Sequence, residues 1–213
     1  MSTVILKKYS EIAKANLRHN FLPQFALVFL ILIFAPIIFG ITGLDAKASA
    51  VPLEMFVSLI GIVLLTPIFA PEQNEEIKDT VESKYISSII VYLIRIFISI
   101  VLMAFLIGIF IYIMEWNGCD ISLKLAYGTF ASALLIGAIG FAAYGISNNI
   151  AVGYMLPILY YALNFVGGNK HFGNFYLFSM TKGSYSKKVW LLISGVLLMI
   201  LTMAWKQYIQ KKK

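Results

Sequence analysis

The feature that most constrains this chain is a series of long apolar runs separated by short polar segments. Six runs are long enough to cross a membrane as helices, at about residues 21–44, 52–70, 85–114, 123–146, 150–166 and 189–205. A bilayer core of about 30 Å is crossed by roughly 20 apolar helical residues, and a helix satisfies its own backbone without water. The runs predict an all-α integral membrane protein, with one six-helix transmembrane domain over residues 1–213.

The composition supports lipid as the solvent of this chain. Hydrophobic residues make up 60% of it and charged residues only 13%, far from the balance of a soluble domain. The formal net charge is +7, but the basic residues cluster beside the apolar runs. Anionic lipid headgroups are therefore the expected partner, and nucleic acid is not. The single cysteine, Cys119, excludes an internal disulfide.

The first 20 residues predict a helix that lies on the membrane surface. Val4, Ile5, Ile12 and Leu17 recur at helical spacing, with basic residues beside this stripe. An apolar stripe bordered by cations suits the boundary between acyl chains and headgroups.

The most charged segment lies between the second and third runs, and lipid does not accommodate it. Its acids come early and Lys84 comes last, as a helix dipole favours, while Ile77 and Val81 share one helical face. We expect a short amphipathic helix that docks a partner; a solvated acidic loop is the alternative. The candidate docking residues are Glu75, Glu76, Ile77, Asp79, Thr80, Val81, Glu82 and Lys84.

The fourth run is rich in small residues, which let helix backbones approach closely in lipid. We expect it at the centre of the bundle, packed against helices of the same chain, with a seam between two copies as the alternative. The packing candidates are Gly128, Ser132, Ala133, Gly137 and Gly140.

Three further features each admit two interpretations. Arg95 marks one end of the third run and is expected to extend to the headgroups, although it also suits a solute path. Pro36 and Pro157 are hinges or merely tolerated breaks. The segment 170–188, basic and aromatic, is an outer gate or a half-buried interfacial loop.

The distribution of basic residues predicts the orientation. With six helices both termini share a side, and that side carries ten Lys and Arg residues against six on the other. The positive-inside rule therefore predicts cytoplasmic termini, with the charged segment 72–84 in the cytoplasm.

Sequence patterns for catalysis are missing. No glycine-rich phosphate loop ending in Gly-Lys-Ser/Thr is present, and the two histidines, His19 and His171, lie outside the runs. No Asp or Glu is expected well inside a run, so ion-coupled transport loses its usual marker. The chain is expected to be non-enzymatic and to bind no metal or cofactor.

The order of elements, together with Pro71-Glu72-Gln73, the stretch 77–84 and Arg95, resembles type II ABC exporter permeases, in particular small bacterial ones for peptide or antibiotic export or immunity. The resemblance implies a cell-membrane location and a coupling helix at 75–84 that docks on a separate ATPase, which carries ATP and Mg. It also implies a second permease subunit, in a homodimer or heterodimer. The alternatives are a non-transporting scaffold or immunity protein, and a membrane enzyme with an unrecognised site.

Overall fold

The structure is a computed structural model that describes residues 21–73 and 88–212, which are helical with short turns and contain no strand. The α-helices are α1 (Phe21–Phe39), α2 (Ala46–Met55), α3 (Ile60–Leu65), α4 (Ser88–Trp116), α5 (Leu123–Ser147), α6 (Ile150–Phe172) and α7 (Lys187–Lys212). Short 3-10 helices lie at Val57–Leu59, Thr66–Gln73, Gly173–Phe175 and Met180–Lys182.

Within the described residues, five stretches are long and apolar enough to cross a membrane: Ala46–Pro71, Ile89–Trp116, Leu123–Ser147, Ile150–Phe175 and Lys187–Ile209. The predicted all-α apolar bundle is therefore confirmed. The first predicted run contributes a shorter apolar helix, Pro23–Phe39, so the six-span count stays a prediction. The predicted interfacial helix, residues 1–20, lies outside the described part of the chain.

The stretch Ala46–Pro71, which corresponds to the second predicted run, is broken, whereas the sequence predicted one helix over 52–70. We call this stretch the second span. It begins earlier, where the Asp45 carboxylate accepts the Ala48 N–H at 2.7 Å and caps α2. The chain leaves helical geometry at Phe56 and again at Pro67, whose φ and ψ are −85° and 17°. Proline lacks the backbone N–H that would continue the helix at the second break.

Helix α5 forms the centre of the bundle, as its small residues predict. Its span is 83% buried. Its glycines allow this burial because they let neighbouring backbones come into contact. A Cβ on Gly137 would lie 2.4 Å from the Gly61 carbonyl oxygen, and a Cβ on Gly61 would lie 1.9 Å from the Ala133 carbonyl oxygen. The two backbones therefore touch, which only glycine permits at these positions.

The turns between the helices lie at two ends of the bundle. At one end the Gly43 N–H donates to the Asn117 carbonyl at 3.0 Å, which joins the turn after α1 to the turn after α4. At the other end Lys206 Nζ donates to Asn148 Oδ1 at 2.6 Å and lies 4.9 Å from the centre of the Phe69 ring. The end of the second span, near Phe69, therefore lies beside the C-terminal part of α7.

Candidate functional site

The chain turns back into the bundle at a kink near the C-terminal end of α6 and forms what we name the re-entrant segment, residues 169–186. The turn is at Gly168, whose φ and ψ of 62° and −172° are essentially restricted to glycine. The Phe172 and Tyr160 rings then lie 5.8 Å apart, and Tyr160 Oη donates to the Phe175 carbonyl at 2.7 Å. The following residues are buried: Tyr176, Leu177, Phe178, Ser179 and Met180.

A buried ion pair lies against this segment. Glu54 of α2 and Lys188 of α7 are both fully buried, and their Oε1 and Nζ atoms are 2.5 Å apart. Lys188 Nζ also donates to Ser132 Oγ of α5 at 2.6 Å and to the Leu177 carbonyl. Ser132 lies nine residues into α5, roughly 13 Å along its axis. The pair is therefore well inside the bundle.

The Glu54 carboxylate also binds the backbone of the re-entrant segment. Oε1 accepts the Met180 N–H at 2.9 Å and Oε2 accepts the Thr181 N–H at 3.1 Å. Removing two charges from solvent is unfavourable unless further hydrogen bonds satisfy them, and both charges here have such bonds. The ion pair and its hydrogen bonds thus attach the re-entrant segment to α2, α5 and α7.

Two side chains of α6 complete this attachment. Asn164 Oδ1 accepts the Leu177 N–H at 3.0 Å, and Tyr161 Oη donates to the Met55 carbonyl at 2.6 Å. Buried non-helical backbone is stable only where other groups satisfy its N–H and C=O atoms. Side chains of α2, α6 and α7 meet that requirement for the re-entrant segment.

The ion pair also acts on tyrosines outside the spans. Burial raises the pKa of Tyr176, and the negative charge of Glu54 raises it further. Burial likewise raises the pKa of Tyr185, with smaller contributions from Glu54 and Asp120. Both effects favour the neutral hydroxyl, which is already the form of an ordinary tyrosine at pH 7.

The Glu54–Lys188 pair corrects the expectation that no acid lies well inside a run. Each residue stands at the edge of a predicted run, Glu54 near the start of 52–70 and Lys188 directly before 189–205. Such positions suggest interfacial charges. The only sequence signal was that an acid and a base stand beside runs that were predicted to begin on the same side.

The five packing candidates on α5 all lie at contacts within the chain. Ala133 and Gly137 touch Gly61, as described above, and Ser132 binds Lys188. A Cβ on Gly128 would meet Met180 Sδ at 2.2 Å, and one on Gly140 would meet Thr66 Oγ1 at 2.1 Å. Helices of the same chain therefore cover the small-residue face.

Arg95 does not extend over the surface as expected. Its side chain is only 4% exposed, and a guanidinium nitrogen donates to the Ile68 carbonyl at 2.9 Å. The break at Pro67 places that carbonyl against α4. Arg95 therefore ties the start of α4 to the end of the second span.

The docking candidates lie outside the described residues: Glu75, Glu76, Ile77, Asp79, Thr80, Val81, Glu82 and Lys84. Within residues 21–73 and 88–212, no group of three His, Cys, Asp or Glu side chains is placed to hold a metal ion.

Over the residues that the structure describes, this helical bundle has five apolar helical stretches of membrane-crossing length, which is the architecture of a multi-pass membrane protein. No model of a protein family matches the chain, and neither a curated protein nor a solved structure is significantly similar to it.

Proposed function

We propose that the chain is the membrane-spanning permease subunit of an ATP-driven ABC exporter in a bacterial cell membrane. Its solute is a small hydrophobic or amphipathic peptide or antibiotic. A separate ATPase subunit binds ATP and Mg and supplies the free energy, and a second permease subunit completes the path. The chain itself performs no hydrolysis.

The observation that carries this proposal is the re-entrant segment beside a broken second span. A plain membrane anchor needs only continuous helices, because each helix satisfies its own backbone. Irregular backbone at membrane depth is instead typical of proteins that move a solute, where it lines a cavity or a path. Here the Glu54–Lys188 pair holds irregular backbone in the interior of the bundle, and we infer that this backbone reaches into the membrane.

The position of the charged segment supports coupling to a partner. The end of the second span near Phe69, which precedes the charged segment in the sequence, lies at the end of the bundle that also holds the C-terminal part of α7. The positive-inside rule assigns this end to the cytoplasm. A soluble ATPase would therefore meet the segment that contains Ile77 and Val81.

The proposed mechanism follows the connections between the two ends. Closure of the ATPase would displace the segment 74–87, and the Arg95–Ile68 hydrogen bond would make the second span and α4 move together. Glu54 lies on the same broken span, so this motion would pull on the ion pair with Lys188. Loosening of that pair would release the re-entrant segment and open the path.

The first experiment is to tag the C-terminus, extract the chain gently from its native membrane and identify stoichiometric partners by mass spectrometry. We expect a soluble ATPase with Walker motifs. The double substitution Ile77→Asp with Val81→Asp should abolish the association and partner-driven transport while the chain stays inserted. Ser83→Asp adds charge to the same segment away from the apolar face and should retain the partner.

Two results would contradict the proposal. One is purification of the chain without an ATPase from membranes where it is active. The other is normal association and transport by the double variant, which would contradict the assignment of Ile77 and Val81 to coupling.

A further inference from the structure

A groove of about 390 Å³ lies between α5, α6 and α7, beside the re-entrant segment. Leu135 and Ile139 of α5 form its floor, Leu198 of α7 forms one wall, and Phe172 and Phe175 close one end. The volume falls within the roughly 300–1,000 Å³ of small-ligand sites.

The walls of the groove are fixed without a ligand. Tyr160 of α6 holds the closed end, since its hydroxyl donates to the Phe175 carbonyl and its ring packs on Phe172. On the other side Gly195 lets α7 approach the floor, because a Cβ there would lie 3.2 Å from the Leu135 Cα. The groove is therefore preformed.

An apolar occupant suits the groove better than water. Its polar members are few, and Ser194 Oγ already donates to the Leu191 carbonyl at 3.0 Å. A site with so few available polar partners does not hold ordered water well. Beside it, Leu159 and Leu163 of α6 and Leu197 of α7 are more than half exposed, as lipid-facing residues are. The groove therefore opens sideways towards acyl chains.

The closed end of the groove is basic. His171 lines it, Lys170 is the preceding residue, and Lys187 Nζ donates to Asn169 and to the Gly173 carbonyl at 2.9 Å. Residues 121–213 contain no Asp or Glu, and Glu54, which reaches this region, is paired with Lys188. Neither Lys170 nor Lys187 has a carboxylate partner within the described ranges, so the rim carries uncompensated positive charge.

We propose that this groove binds an acyl chain of an anionic phospholipid from the surrounding bilayer, with the headgroup phosphate at Lys170, His171 and Lys187. The apolar walls provide the site for the chain, and the rim selects the charge of the headgroup. Each lysine near an anionic headgroup favours binding roughly five-fold. The site requires only residence in a membrane and is independent of export.

The test uses the purified full chain in nanodiscs that contain trace amounts of a lipid with a photoactivatable acyl chain. One sample carries this chain on phosphatidylglycerol and the other carries it on phosphatidylcholine. After irradiation, labelled positions are mapped by peptide mass spectrometry. Labelling near Phe175 and Leu198 should be roughly five-fold or more stronger with phosphatidylglycerol. Equal labelling by both lipids would overturn the proposal.

Matched tryptophan substitutions locate the site. Leu198→Trp fills the groove and should abolish the labelling near Phe175, whereas Leu197→Trp places the same ring on the neighbouring lipid-facing position and should not. Preferential labelling that survives Leu198→Trp would place the lipid elsewhere and overturn the assignment.

A second pair of variants tests the rim without altering the core. Lys170→Gln combined with Lys187→Gln removes both charges and keeps amide donors near Asn169 and Gly173. Labelling by phosphatidylglycerol should fall to the level of phosphatidylcholine, while Lys124→Gln, at the start of α5, should leave the preference intact. An unchanged preference for phosphatidylglycerol in the double variant would refute the proposal that Lys170 and Lys187 bind the headgroup. Because no ATPase is present, either outcome leaves the export proposal untouched.

Discussion

Helices α4 and α5 are both long and apolar, yet they occupy opposite places in the bundle. The span of α4 is 28% buried and that of α5 is 83% buried. Helix α4 presents large side chains such as Phe97 and Phe105 outward, whereas α5 carries glycine, serine and alanine at its contacts. Lipid tails are as apolar as leucine, so apolarity alone does not bring helices together. Close backbone approach does, and α5 provides it.

The inner helix also supplies polar contacts that the outer surface does not need. Ser132 of α5 binds Lys188, which in turn binds Glu54. In lipid, a buried charge is tolerated only with such partners. The difference between α4 and α5 therefore predicts which substitutions the protein tolerates.

The largest effect is expected from a bulky residue at the contact between α5 and α3. Gly137→Leu forces a Cβ to within 2.4 Å of the Gly61 carbonyl oxygen, a backbone atom that does not move alone. Destabilisation should exceed the roughly 1–3 kcal/mol of ordinary overpacking. Gly108→Leu on α4 is the control, since a Cβ there meets nothing within 4 Å. Thermal unfolding in detergent measures both; equal tolerance would contradict the central role of α5.

The second effect concerns the ion pair. Lys188→Met leaves the Glu54 carboxylate buried without its cation and should destabilise the protein by about 3–5 kcal/mol. Adding Glu54→Gln to Lys188→Met removes the remaining charge and should recover a large part of this loss. Lys124→Met, an exposed lysine at the start of α5, should be neutral. The unfolding midpoints of all variants are measured in the same detergent. An equal loss of stability in Lys188→Met and in the double variant would argue against pairing of Glu54 with Lys188.

The sequence predicted the apolar bundle and its central helix because both follow from local composition. It did not predict the ion pair, since Glu54 and Lys188 are far apart in the chain and meet only after the bundle forms. Burial of Arg95 was missed because it depends on a carbonyl at Ile68 near the break at Pro67. The segment 170–188 has the composition of an interface, but the turn at Gly168 directs it inward.

The third effect tests whether α6 holds the re-entrant segment. Asn164→Leu removes the acceptor of the buried Leu177 N–H, and an unsatisfied donor costs about 1–3 kcal/mol. The amides of Leu177 to Thr181 should exchange with solvent hydrogen faster than in the unsubstituted protein. Amides of α4, which this hydrogen bond does not reach, should exchange at their original rate. Faster exchange throughout the chain would instead indicate global destabilisation.

The smallest effect separates a half-buried, hydrogen-bonded hydroxyl from an exposed one. Tyr161→Phe removes the hydrogen bond to the Met55 carbonyl, which joins α6 to α2 without involving α4 or α5. Interhelical hydrogen bonds in membrane proteins contribute about 0.6 kcal/mol on average, so the unfolding midpoint should fall slightly but measurably. Tyr112→Phe makes the same change on the exposed face of α4, where the side chain is 62% accessible, and should leave the midpoint unchanged. A shift of equal size in both variants would mean that the hydrogen bond between Tyr161 and Met55 contributes nothing beyond what an exposed tyrosine hydroxyl contributes.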